Sequence, residues 1–293
     1  MRIILHAGTV TTDEGRLIAT LRRDAEAHAA RGVALPPPDR YRTLLRDTLV
    51  SMRRADPAPD AREVLLDAML DRPETEVARL VLSNDRFFAA PQQAFAGGAL
   101  FPQAEERLAN LRRLFPEDPI ELRLAIRDPA TFLPAVMAVR KSASLEDVME
   151  GLAPQDMQWS GLIARLRDSV PEVPITVWCD EDSPVLWGAL LRDLAGAEAD
   201  ADVPGAFELL QEIMSEEGLS RMRAYLAAHP ELTEPLRRRA MLAFLDKYAV
   251  AEMMEEELDV PGWTDETVAE LTAAYDADVA RIGRIEGVTL LSV

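Results

Sequence analysis

Apolar positions along the chain fall into short continuous runs separated by longer stretches with helical spacing, and that alternation predicts an α/β protein. Residues 2–6 read as an apolar strand, 7–14 as a loop of small residues, and 15–31 as a helix closed by Gly32. Pro36-Pro37-Pro38 cannot continue a helix, and Asp39 is placed to cap the next one, 40–54. On that helix Tyr41, Leu44, Leu45, Leu49 and Met52 share one face. After a break at 56–60, a helix runs through Val64, Leu65, Ala68 and Met69, and 77–83 read as the second strand. Gly97-Gly98 punctuate a loop before an amphipathic helix over 102–115, with Leu108, Leu111 and Leu114 inward, and a third strand over 120–126. Pro129 opens a helix that continues to 141 despite Pro134, further helix fills 144–169, and 173–179 form the fourth strand. Beyond 184 the spacing is helical over 184–195, 204–215, 217–228, 231–257 and 264–286. Gly287 ends the last helix, and 288–291 read as a fifth strand.

This order predicts a mainly parallel sheet of about five strands covered by helices, with a helix-rich C-terminal half over 184–286. A boundary in the acidic stretch 197–202 is one alternative. If the strand at 288–291 returns to the sheet, residues 1–293 form one α/β domain, and that is the preferred reading. No internal repeat or low-complexity tail is present.

Composition narrows the class of protein. With 48% hydrophobic and 5% aromatic residues, the core is expected to be aliphatic with Met as filler. No apolar run approaches the length of about 18 residues that a membrane span needs. Arg2 is followed by only three apolar residues before His6, so no secretory leader is expected. The single cysteine, Cys179, excludes an internal disulfide and fits a reducing cytoplasm. The net charge of −19 is unevenly spread. Residues 1–150 hold 21 Lys and Arg against 23 Asp and Glu, whereas 151–293 hold 11 against 28. Such a molecule is not expected to bind nucleic acid or an anionic membrane, because phosphates are held by surplus cationic charge. A small anion on the near-neutral first half is not excluded.

In an open parallel sheet, ligands bind beyond the carboxyl ends of the strands. That rule selects 6–14, 83–88, 127–131 and 180–183. The opening strand, loop and helix follow the plan by which loop amides and a helix N-terminus receive phosphate. Asp85, with Ser83 and Asn84, reads either as a general base or as a turn or helix cap. Arg127 reads either as an anion contact or as the partner of Asp128 or another local acid. Asp180-Glu181-Asp182 offers hard ligands for Mg²⁺, but capping of a helix that begins at Pro184 is the preferred reading. His6, at a strand end, is either buried and hydrogen-bonded or turned to the cleft, whereas His28 and His229 read as structural. The acidic run 252–259 reads as a solvated helix face with Met253, Met254 and Leu258 inward. Cys179 has no His nearby in sequence and reads as an inert thiol. No zinc spacing, nucleophile elbow or intact dinucleotide fingerprint is present, and no metal is assigned.

Leu5-His6-Ala7-Gly8-Thr9-Val10-Thr11-Thr12 resembles the phosphate loop of bacterial sulfotransferase-like proteins, a branch of the P-loop fold. Ala29-Ala30-Arg31-Gly32-Val33 running into prolines, Ser83-Asn84-Asp85 and Arg127-Asp128-Pro129 look like the same branch in matched order over residues 1–140. The segment 263–291 is similar in general form. The resemblance implies that Gly8, Thr9 and Thr12 surround the 5′ end of the sulfonate donor PAPS. It also implies that Arg127 meets the 3′-phosphate and that Asp85 is the candidate catalytic base. The family lysine falls on Thr11, the loop glycine on Asp13, the following hydroxyls on Glu14 and Gly15, and the second 3′-phosphate residue on Ala135. Arg16, one turn into the helix, would supply part of the missing cationic charge. Two carboxylates at a helix N-terminus compete with phosphate for one place.

Three functions remain open at this point. The first is a PAPS-dependent transferase acting on a hydroxyl. The second is a non-catalytic descendant of that fold that requires no cofactor and uses its acidic helical half to bind a protein or cationic ligand. The third is a kinase or phosphohydrolase working through Asp180-Glu181-Asp182, which needs the lysine absent at Thr11. The substitutions at Thr11, Asp13, Glu14 and Ala135 favour the second.

Overall fold

The computed structural model describes residues 1–142, 144–199, 201–254 and 260–293. The chain opens with β1 (Arg2–His6), α1 (Arg16–Arg22), α2 (Ala25–Ala30) and β2 (Val33–Ala34), followed by α3 (Pro38–Ser51), α4 (Ala61–Met69) and β3 (Arg79–Ser83). Next come α5 (Ala104–Leu114), β4 (Ile120–Ile126), α6 (Pro129–Arg140), α7 (Leu145–Met149), α8 (Trp159–Ser169) and β5 (Ile175–Cys179). The remainder is α9 (Ser183–Ala195), α10 (Glu208–Ile213), α11 (Glu216–Ala228), α12 (Glu234–Tyr248), α13 (Asp265–Ile282) and β6 (Val288–Leu291). The six strands form one all-parallel sheet in the order β2-β3-β1-β4-β5-β6. β6 returns to pair with β5, from Ile175 opposite Val288 to Trp178 opposite Leu291. No helix among the described residues is long and apolar enough to cross a membrane.

Strand alternation divides the core between the two faces of the sheet. Ile3, Leu5, Leu80, Leu82, Leu122, Leu124 and Val177 belong to the larger core, which α3, α4, α5, α6 and α8 cover. Ile4, Val81, Ala125 and Trp178 belong to the other, covered by α1 and α9. A third cluster lies among α9 to α12, around Leu210, Met222 and Met241, and is joined to the rest through Val185 of α9. A buried guanidinium interrupts the apolar pattern of β4. Arg123 of β4 is 6% exposed and pairs with Glu121 and, through two nitrogens, with Asp193 of α9.

Several local readings change. The helix expected over 15–31 is two helices separated at Arg23-Asp24, because Leu17, Ile18 and Leu21 pack under α9 whereas α2 buries only His28. The two-residue β2 adds an edge strand that is too short to read from periodicity. Leu44 is 36% exposed, on the edge of α3 rather than on its inward face. The helix expected over 231–257 stops at Tyr248, where the backbone turns to pair with the end of α10. Val250 N–H donates to Ile213 O at 2.9 Å and Ser215 N–H to Tyr248 O at 3.0 Å. Met253 and Met254, expected inward, are 59% and 51% exposed beyond that turn, and Leu258 lies outside the described residues.

The last helix is tied to the sheet's cover by a buried acid. Asp278 of α13 is 2% exposed and accepts from Ser160 N–H at 2.9 Å, from Ser160 Oγ and from Arg281 at 2.8 Å. It thereby caps α8 from another helix, where Gln158 at the N-cap position makes no side-chain bond. Asp278→Ala should lower the free energy of unfolding by about 2 kcal/mol in urea titration, while Arg281→Ala, removing only the exposed partner, should cost less than about 1 kcal/mol.

Candidate functional site

With β1 central, the chain leaves β1 toward β2 on one side and leaves β4 toward β5 on the other. The crevice between β1 and β4 is therefore the switch point at which this architecture receives ligands. The loop after β1 builds one wall. Ala7 N–H continues the ladder to Arg123 O at 3.0 Å. Gly8 has φ +54°, and a Cβ there would lie 3.1 Å from the Asp85 Cα, so the exit of β3 crosses where only glycine fits. The Thr9 hydroxyl donates to Ala125 O at 3.1 Å, and the Thr12 hydroxyl donates to Thr9 O at 2.8 Å. Thr11, at φ +68°, turns its carbonyl to the Arg127 guanidinium at 2.6 Å, and its own hydroxyl is buried without a hydrogen-bond partner.

The opening of α1 is capped from within. Asp13 is 8% exposed, its Oδ2 accepts from Leu17 N–H at 3.0 Å, and its carbonyl accepts from Arg16 N–H at 2.8 Å. The first two amides of α1 are thus occupied by one acidic residue of the chain. The other carboxylate oxygen, Oδ1, is buried, has no hydrogen-bond partner and lies 4.0 Å from His6 Nε2, which is likewise unpartnered. His6 is buried, shares a hydrogen bond between Nδ1 and Ser83 Oγ at 3.1 Å, and stacks on Trp178 with ring centres 5.8 Å apart. Loss of water lowers its pKa, and the nearby Asp13 and Asp85 only partly restore it, so the ring is neutral at pH 7.

The opposite wall comes from the ends of β4 and β5. Arg127 donates through Nε to Thr131 Oγ1 at 2.9 Å as well as to Thr11 O. The Asp128 carboxylate caps α6 through Ala130 N–H at 2.8 Å and accepts from Thr272 Oγ1 at 2.6 Å. Glu181 accepts from Asp128 N–H at 2.7 Å and from Tyr275 OH at 3.2 Å. Desolvation pushes the Asp180 carboxyl up to about 7. Arg127 pulls it back, while Glu181 and Asp13 push it further. The Glu181 carboxyl is raised mainly by the same loss of water, and the Cys179 thiol is pushed up to about 11 by burial, which makes it a poor nucleophile. The crevice is therefore one in which carboxylates gather around a guanidinium that the chain already uses.

The fold brings Gly8, Thr9, Thr11 and Thr12 together in one turn, with Asp85 against Gly8 and Arg127 against Thr11. Arg16 lies elsewhere, bonded to Glu212 of α10 at 3.0 Å and exposed to solvent. Asp85 forms ion pairs with Arg42 at 3.1 Å and Arg86 at 3.8 Å, while the turn that follows β3 is made by Asn84 Oδ1 accepting from Arg86 N–H at 3.1 Å. Asp182 stands at the N-cap position of α9 without a side-chain bond, because the turn 180–182 feeds directly into the helix. No group of three or more His, Cys, Asp or Glu among the described residues is placed to hold a metal ion. Arg42 and Tyr275 are the members that sequence reasoning missed. Each sits within an ordinary helical pattern, and only packing carries it to a strand end. Family models, curated proteins and solved structures were compared with the chain, and none matches.

Asp180 gives this wall a pH dependence with a definite sign. A carboxyl whose folded pKa is about 7, above its unfolded value near 3.9, supports the fold while it is protonated. That support is complete below the unfolded pKa and is lost as the pH rises through about 7. Asp180→Asn, which keeps an acceptor for the Ser183 hydroxyl, should stabilise the protein by about 1–2 kcal/mol at pH 8 and by almost nothing at pH 4, read from urea midpoints at the two pH values.

Proposed function

We propose that this chain is a non-catalytic binding protein with a sulfotransferase-like P-loop fold, in which the donor's phosphate place is filled by the protein's own groups. The reading is supported by a parallel sheet with β1 at its centre and by a turn after β1 that leads into a helix. The observation that carries it is the Asp13 carboxylate bonded to the Leu17 amide at 3.0 Å, where an incoming phosphate would need that amide. Arg127, the anion contact that the resemblance implies, is directed to the Thr11 carbonyl, and the Thr9 and Thr12 hydroxyls are spent on backbone oxygens. On this reading no cofactor is needed for the fold, and partners are small molecules or proteins rather than nucleic acid or membrane.

One observation favours an active transferase as the second reading. Gly8 allows Asp85 to rest against the turn, as a base beside a donor would. Its carboxylate is nevertheless held by Arg42 and Arg86, which compete with an acceptor hydroxyl for its oxygens. Calorimetric titration of PAP, the desulfonated donor, should show no saturable micromolar binding that depends on Arg127. Low-micromolar binding that disappears in Arg127→Ala would overturn the proposal and restore the transferase, which would then require loss of sulfonate transfer in Asp85→Asn.

A further inference from the structure

On the far side of Asp85 from the crevice, α3, the exit of β3 and α5 enclose a cleft of about 260 Å³. Its lining holds four arginines, Arg42, Arg46, Arg86 and Arg107, and a single carboxylate, Asp85. Such an excess of positive charge stands out on a chain of net charge −19. Arg42 and Arg46 lie one turn apart on α3, so their guanidinium groups are presented along one edge. Leu49 and Phe87, both buried, form an apolar floor.

The charges on this cleft are only partly compensated. Arg42 is committed to Asp85 and to Ser83 O at 3.1 Å. Arg107 donates to Phe87 O at 2.7 Å and to Gln103 Oε1 at 3.3 Å, and among the described residues it has no acid partner. Burial is the main cause that lowers its pKa, with Arg53 and Arg46 adding to the shift and Glu106 opposing it. Among the described residues Arg46 pairs with its exposed chain neighbour Asp47, and Arg86 reaches Asp85 at 3.8 Å. A protein gains nothing in stability from gathering like charges around a partly dry hollow, whereas an incoming anion would relieve the repulsion. With four guanidiniums facing one carboxylate, a dianion neutralises the site better than a monoanion, and the guanidinium fork matches phosphate oxygens.

We propose that this cleft binds a small organic phosphate monoester, its phosphate held by Arg46, Arg86 and Arg107 and its apolar body lying on Phe87 and Leu49. The proposal is independent of how the turn after β1 is filled. Phenyl phosphate is the probe, titrated calorimetrically into the full chain, with inorganic phosphate and benzoate as comparators. Saturable binding of phenyl phosphate is expected, weakening as salt is added and at least about tenfold tighter than either comparator. Arg46→Ala/Arg86→Ala, which removes two exposed side chains and leaves the melting temperature in place, should weaken it by about tenfold or more. Absence of saturable binding, or unchanged affinity in the double variant, would overturn the site. Benzoate binding as tightly as phenyl phosphate would overturn the dianion, and inorganic phosphate doing so would overturn the apolar floor. PAP separates this site from the turn after β1. Heat lost in the double variant belongs to the arginine cleft, and heat lost only in Arg127→Ala counts against the filled turn alone.

Discussion

The amides that open α1 have room for one negative charge, and Asp13 supplies it. An isolated carboxylate at a helix N-terminus is an ordinary cap, but here the helix stands at the central strand of a parallel sheet, where an anionic ligand would be received. Two like charges about 4 Å apart repel by about 4 kcal/mol even at an effective dielectric of about 20, and the proposed reading rests on that cost. The rest of the turn follows from that choice. The Thr11 carbonyl faces Arg127, the Thr9 and Thr12 hydroxyls close on backbone oxygens, and the Arg127 guanidinium ties the loop to the β4 wall.

The sheet makes this arrangement rigid. Alternate side chains of β1 go to opposite cores, so Ile3 and Leu5 face one layer of helices while Ile4 and His6 face the other. His6 is therefore fixed by the pleat beneath the capped turn, stacked on Trp178, and burial keeps it neutral beside Asp13. Across the crevice, Asp128 and Glu181 are tied to α13 through Thr272 and Tyr275, so the last helix braces the ends of β4 and β5. The C-terminal half thus contributes to the wall of the crevice as well as to the third apolar cluster.

Net charge describes this molecule poorly. The acidic excess belongs to residues 151–293, whereas the near-neutral first half arranges its arginines unevenly and places four around one cleft. Local field depends on which charges the fold brings together, and a chain of net charge −19 can still present a small cationic hollow. Asp85 stands between the two environments, with its backbone against Gly8 and its carboxylate among the arginines.

Much of the scaffold was written in the order of residues. Apolar runs of strand length alternating with helical spacing determined a parallel α/β sheet, and the run at 120–126 coincides with β4 residue for residue. The acids at the turn after β1 were legible too, but only packing shows that Asp13 is buried against the Leu17 amide while Glu14 is exposed. Tertiary structure alone decided the rest. Tyr248 ends α12 because the following backbone pairs with the end of α10, Met253 and Met254 then emerge into solvent, and Leu44 lies at the margin of its helix's buried face. The partnerships of Arg42 with Asp85, Glu181 with Tyr275 and Ser160 with Asp278 join residues 43 to 118 positions apart. Periodicity reports which way a side chain faces along its own element. It carries no information about which distant element will pack there, and that packing, by setting burial and neighbouring charge, determines what each group can bind.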